Sequence, residues 1–177
     1  TVFFSMLICG CATKSQLGQP LQESQVSKIA FASSSLKRSM NVNIYLPKGY
    51  PDAGKYPVLY MLHGYTDNED KWMPILGLED RVDALIDAGK IVPLIIVMPQ
   101  IDNSFGLNTD TIKRLPAALS SGKYEDYLIK DLIPYIDAHY RTERTRNGRY
   151  IGGLSMGGWA ALHLAFSHVE LFSKVGG

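Results

Sequence analysis

The sequence predicts an α/β protein with a mostly parallel sheet and helices on both faces. Three observations carry this. Two short, nearly continuous apolar runs, residues 57–63 (PVLYMLH) and 94–98 (LIIVM), suit central strands buried on both faces. Segments of helical periodicity alternate with such runs from Pro57 onward, the pattern of strand–helix–strand units. The run Gly152-Gly153-Leu154-Ser155-Met156-Gly157-Gly158 marks a sharp junction between a strand and a helix.

The elements follow in order. Residues 26–34 alternate weakly and 40–46 clearly, with Met40, Val42, Ile44 and Leu46 on one face, so an antiparallel opening pair is expected. Residues 47–54 are rich in proline and glycine and read as a turn. The first central strand then runs from Pro57 to His63-Gly64. Residues 78–90 carry Val82, Leu85 and Ile86 at helical spacing, with Glu79 and Asp80 at the start and Gly89 near the end. The strand 94–98 is stopped by Pro99. A long amphipathic helix is expected over 124–140, with Leu128, Leu132, Ile136 and Tyr140 on its apolar face. Pro134 should kink or restart that helix, because it lacks an N–H and crowds the preceding turn. Residues 149–154 form a short strand. Residues 156–168 form a helix with almost no polar face, expected to be buried, and 171–175 open the next strand.

Composition allows one ordinary globular domain: 177 residues, 46% hydrophobic, 20% charged, net charge +1. A nucleic-acid surface is not expected, since the densest basic stretch, 141–149, reads as a solvated loop without interleaved aromatics. At the N-terminus, residues 2–9 (VFFSMLIC) are too short to span a membrane and match the apolar core of an export signal. Leu7-Ile8-Cys9-Gly10-Cys11 resembles a bacterial lipobox with Cys11 as the lipidated residue; an ordinary signal peptide or a buried strand are the alternatives. Residues 12–25 are polar and aperiodic and read as a tether, giving the organisation 1–11 signal, 12–25 tether, 26–177 folded domain. The expected location is therefore exported, either membrane-anchored through lipid alone or secreted. Cys9 and Cys11 are too close for a zinc pair, and no metal or organic cofactor is expected. The chain starts at Thr1 and stops at Gly177 just after an apolar run, so it reads as part of a longer protein.

The chemistry lies at Gly153-Leu154-Ser155-Met156-Gly157, a G-x-S-x-G between a strand and an apolar helix. The chain must reverse sharply there, and the flanking glycines leave room for the turn. Ser155 is the candidate nucleophile. The free N–H of Met156 at the helix start can donate to an oxyanion. His63-Gly64-Tyr65 ends the first central strand, where such folds supply a second donor, and the Tyr65 N–H is the candidate.

The blocks YPVLYMLHGYTDNEDKW, YEDYLIKDLIPYID and RYIGGLSMGGWAAL resemble the esterase family of α/β-hydrolases that includes esterase D, feruloyl esterases, enterochelin esterases and mycolyltransferases. The resemblance runs from about Ser35 to the chain end. It implies an α/β-hydrolase fold, truncated at its C-terminus, with a Ser-His-Asp triad in which Ser155 is nucleophile. In this fold the acid and histidine follow the serine. After Ser155 stand only Glu170, His163 and His168, on or just past the following helix, and neither histidine is expected to act as base. His63 is expected to shape the oxyanion loop, and His139 belongs to the amphipathic helix. The expected function is a serine carboxylic-ester hydrolase acting on small-molecule or polysaccharide-linked acyl or feruloyl esters. An acyltransferase, or a non-catalytic surface lipoprotein using the fold for binding, are the alternatives. Asn103, Phe105 and Asn108, in the loop 101–121, are candidates to contact an acyl or sugar group, with a solvated connection the alternative.

Overall fold

The computed structural model describes residues 20–177 apart from residue 53. The expected signal, the lipobox-like Cys11 and most of the expected tether lie outside the described residues. The fold takes in residues before position 26: Leu21 exchanges backbone hydrogen bonds with Gly49 and Tyr50, and the Ser24 hydroxyl donates to Asp83 at 2.6 Å.

Six strands form one sheet in the order β1-β2-β4-β3-β5-β6. β1 (Gln25–Ser33) and β2 (Arg38–Leu46) pair antiparallel along their whole length, and β2 pairs antiparallel with β4 (Ile95–Pro99). From β4 onward the sheet is parallel: β3 (Val58–Leu62) lies between β4 and β5 (Arg149–Gly153), and β6 (Lys174–Gly176) adds beside β5. The last strand begins later than its apolar run suggested.

The apolar runs are explained by burial on both faces. In β4, Ile95 and Val97 point to one face and Ile96 and Met98 to the other, all 0–1% exposed. On one face Ile96 and Met98 pack with Tyr45, Met73 and Val82 under α1 (Leu78–Asp87) and a π-helical turn, Lys71–Ile75. On the other, Ile95, Val97, Tyr60 and Ile151 pack with Leu132 from the π-helical stretch after α2 (Tyr124–Asp126), Ile136 from α3 (Ile133–His139), and Ala160 and Leu164 from α4 (Met156–Ser167). Each of the Ile, Val, Leu and Met side chains contributes about 1.5–3 kcal/mol on full burial.

Pro134 acts as expected. α2 runs into a π-helical stretch, Tyr127–Leu132, and α-helical bonding restarts at Ile133 with Pro134 in its first turn. There the missing N–H has no intrahelical partner to lose, and the wider preceding turn makes room for the ring.

α4 departs from expectation. Met156, Gly157, Gly158, Ala160, Ala161 and Leu164 are buried, but Trp159, Leu162 and Phe166 are exposed, Phe166 by 74%. Small residues let one side of the helix close onto the sheet, and the opposite side is apolar yet open. Composition alone cannot separate such a helix from one buried all round.

Candidate active site

β3 and β5 are neighbours, and the chain leaves them in opposite directions, from β3 toward β4 and from β5 toward β6. Such a reversal opens a crevice at the C-terminal ends of the two strands, the usual ligand position in open α/β sheets. His63-Gly64-Tyr65 leaves β3 on one side of this crevice and Ser155 leaves β5 on the other.

Ser155 has φ 54° and ψ −112°, a strained backbone between the last strand residue and the first turn of α4. Its neighbours are glycine because nothing larger fits. A Cβ on Gly157 would lie 2.3 Å from Leu62 O and 2.6 Å from His63 O, and one on Gly153 would lie 2.3 Å from the Gly157 carbonyl carbon. The start of α4 is thus pressed onto the end of β3. That contact lifts Ser155 to the surface, where it is exposed. A Cβ on Gly64 would lie 4.0 Å from Ser155 Cβ, so the loop after β3 sits beside the serine. Among the described residues neither the Tyr65 N–H nor the Met156 N–H has a hydrogen-bond partner. The Met156 N–H also stands at the positive end of the α4 dipole. A hydroxyl flanked by two free N–H groups can attack a carbonyl and hold the resulting oxyanion.

His63 is fully buried and both its nitrogens are engaged. Nε2 accepts from the Ile101 N–H at 3.0 Å, so Nδ1 carries the proton and donates to Gly64 O at 2.8 Å. Burial pushes its pKa below the usual histidine value, against the opposing pull of the Gly64 bond and nearby Gln100, Asp67 and Asp102. The peptide it grips is the one whose other end is the Tyr65 N–H. A trans peptide points its N–H opposite its C=O, so the bond to Gly64 O aims that N–H.

The other three of the chain's four histidines are engaged away from Ser155. His139 bonds to Tyr135 O and stacks on the Tyr135 ring. His168 Nε2 lies 2.9 Å and His163 Nε2 3.5 Å from the Glu125 carboxylate, and His163 stacks on Trp159. Among the described residues no hydrogen bond or ion pair joins any of the three to Ser155. Glu170 lies 3.7 Å from His168.

The loop 101–121 is tied down over residues 101–109, whereas 110–114 and 116–118 are exposed to solvent. Asp102, at φ 46°, receives hydrogen bonds from Gln100, Tyr124 and Arg38. Burial alone would raise its carboxyl pKa; the bonds from Tyr124 and Arg38 outweigh this and hold it below the usual range. Asn108 is paired with Asp126 and Phe105 packs edge-on against Trp159. Asn103, a candidate from the sequence to contact an acyl or sugar group with a solvated connection as the alternative, accepts the Thr66 N–H through Oδ1 at 2.8 Å. No sequence signal marks this bond, since 37 residues separate the partners. A groove of about 700 Å³, lined by Leu59, Met61, Val92 and Tyr150 among others, lies on the α1 face and does not include Ser155.

Comparison with known proteins bears on the family and the fold. Residues 33–177 match a family model described as "Putative esterase". The chain is 33% identical over 162 residues to an endo-1,4-beta-xylanase/feruloyl esterase of Xylanibacter ruminicola, covering 88% of this chain and 22% of that protein. It is 34% identical over 146 residues to esterase Rv1288 of Mycobacterium tuberculosis, covering 81% and 30%. Among solved structures, a ferulic acid esterase superposes with a TM-score of 0.75 at 30% identity, covering 88% of this chain and 57% of that one. A ferulic acid esterase from the anaerobic fungus Anaeromyces mucronatus gives 0.69 at 23%, which speaks to the fold alone, covering 93% and 60%. The chain therefore spans less than a third of those two relatives and a little over half of the solved ones.

Proposed function

This chain belongs to the esterase family described by that model and has the α/β-hydrolase fold of its solved relatives, and from that premise we propose that Ser155 is the nucleophile of a serine carboxylic-ester hydrolase. The observation that carries the reading is the strained, exposed Ser155 with two N–H groups beside it that have no partner among the described residues. Ser155 Oγ attacks the ester carbonyl carbon while its proton passes to a histidine. That histidine is none of the four in this chain, and with its acid partner it comes from outside these 177 residues. The carbonyl oxygen, now an oxyanion, is held by the N–H groups of Tyr65 and Met156. Collapse expels the alcohol, which takes up the proton, and leaves an acyl group on Ser155 that water then removes. Transfer of that acyl group to a sugar hydroxyl is the variant in which an alcohol replaces water.

Acyl or feruloyl esters on polysaccharides are the substrate class we infer, from the relatives named feruloyl esterase. The expected signal and Cys11 support a reaction outside the cytoplasm, on a lipid anchor or in secreted form. The test is hydrolysis of p-nitrophenyl acetate and methyl ferulate by the full-length protein and its Ser155→Ala variant. We expect a loss of about 10³-fold or more, as when a nucleophile is removed from a triad. Equal rates would take Ser155 out of the mechanism and favour the non-catalytic binding protein. For the anchor, Cys11→Ala should abolish metabolic palmitate labelling; equal labelling refutes lipidation at Cys11.

A further inference from the structure

We propose that Asn103 is a positioning residue for the oxyanion donor, acting through the Thr66 N–H; this rests on the reading of Ser155 as an ester-hydrolase nucleophile. The geometry of Tyr65 carries the inference. Its N–H can point at the oxyanion only if the peptide planes on both sides of its Cα are held. The plane before it is held by His63, whose Nδ1–H donates to Gly64 O at 2.8 Å, with the Asp67 N–H donating to the same oxygen at 3.2 Å. The plane after it contains the Thr66 N–H, and that group donates to Asn103 Oδ1 at 2.8 Å. The two bonds together fix φ and ψ of Tyr65.

Thr66 supplies the reason the second bond is needed. It has φ 63°, a left-handed conformation that a β-branched residue rarely adopts. Without a partner for its N–H the Thr66 backbone would relax toward negative φ, and the Tyr65 peptide would swing with it. Asn103 is itself well placed to resist. Its N–H donates to Ser120 Oγ at 3.1 Å and its C=O accepts from the Ser120 N–H at 3.0 Å. The preceding residue, Asp102, is clamped by Arg38 and Tyr124. A third stitch, Tyr65 OH to Ala118 O at 3.1 Å, ties the same two loops together. The loop after β4 thus acts as a fixed backing for the loop after β3, and the Asn103 side chain is the point where it meets the donor's own backbone.

The backbone bonds to Ser120 do not depend on the side chain, so Asn103 can be altered without releasing its loop. The experiment uses the full-length protein with p-nitrophenyl acetate, comparing wild type, Asn103→Leu and Asn103→Ala, with Ser155→Ala as reference. A displacement of about 1 Å at a reacting group costs on the order of 10²-fold, and loss of a whole oxyanion donor about 10²–10³-fold. We expect kcat to fall about tenfold to hundredfold in both Asn103 variants, with KM changed less than about twofold. The affinity for a boronic acid that forms a tetrahedral adduct on Ser155 should fall by the same factor, while the melting temperature stays close to wild type. Unchanged kcat in both variants overturns the proposal. So does a loss carried by KM with adduct affinity intact. If wild type and Ser155→Ala turn over equally, the reading of Ser155 itself has failed and this inference with it.

Discussion

Two segments face each other across the crevice, and they are held in place by different physics. The turn after β5 is fixed by exclusion of volume: Gly153 and Gly157 sit where a single added carbon would overlap backbone atoms. The loop after β3 is fixed by hydrogen bonds with a distant loop: the Ile101 N–H donates to His63 and the Thr66 N–H to Asn103. The first device is local and nearly all-or-none. The second is long-range and can fail by degrees. A fold can therefore place the proposed nucleophile with a few glycines, whereas aiming the proposed oxyanion donor opposite takes residues from elsewhere in the chain.

The largest expected effect separates the two devices. Gly157→Ala should destabilise the protein by at least about 3 kcal/mol, because the new methyl meets Leu62 O at 2.3 Å and strand and helix cannot both stay in place. Gly64→Ala should differ. Its Cβ would approach the Asp67 carboxylate at 3.2 Å, and that side chain can move. We expect it to fold within about 1 kcal/mol of wild type yet to hydrolyse esters poorly, since the methyl intrudes beside Ser155. Denaturant melts and esterase assays on the pair check this. Similar stability losses for both would mean that volume exclusion governs both sides of the crevice.

The same contrast explains what the sequence disclosed. Sheet and helices were legible because their signals are local: the continuous apolarity of 57–63 and 94–98, the helical spacing after Leu78, and Pro134 announcing a restart of α-helical bonding. The G-x-S-x-G turn was legible because steric need leaves glycines in the sequence. The bond of Asn103 to the Thr66 N–H was not, because an asparagine in a polar loop looks the same whether it meets solvent, substrate or a backbone N–H. The positive φ of Thr66 was equally hidden, since threonine is not the residue such a conformation selects. The open face of α4 was misread because Trp159, Leu162 and Phe166 carry the same apolarity as the buried Leu164.

The smaller effect sharpens the comparison at His63. His63→Leu removes both of its bonds and leaves the Ile101 N–H buried without a partner, which should cost about 1–3 kcal/mol at neutral pH. Gly64 O keeps its second donor, Asp67, so the loop should loosen rather than detach. The pH dependence follows from the direction of the His63 shift. Its folded pKa lies below the unfolded value of 6.5, because burial penalises the charged ring more than the Gly64 bond and the nearby carboxylates favour it. Below about pH 6.5 the unfolded chain therefore binds more protons than the folded one, and stability falls as pH drops through that value toward the folded pKa. Above it the contribution of neutral His63 is complete. Denaturant melts of wild type and His63→Leu at pH 7.5 and 5.5 should thus show a gap that narrows at the lower pH, the other titrating groups being common to both proteins. A gap independent of pH would mean that His63 keeps an ordinary pKa in the fold. Its grip on the Gly64–Tyr65 peptide would then owe nothing to its being sealed from water.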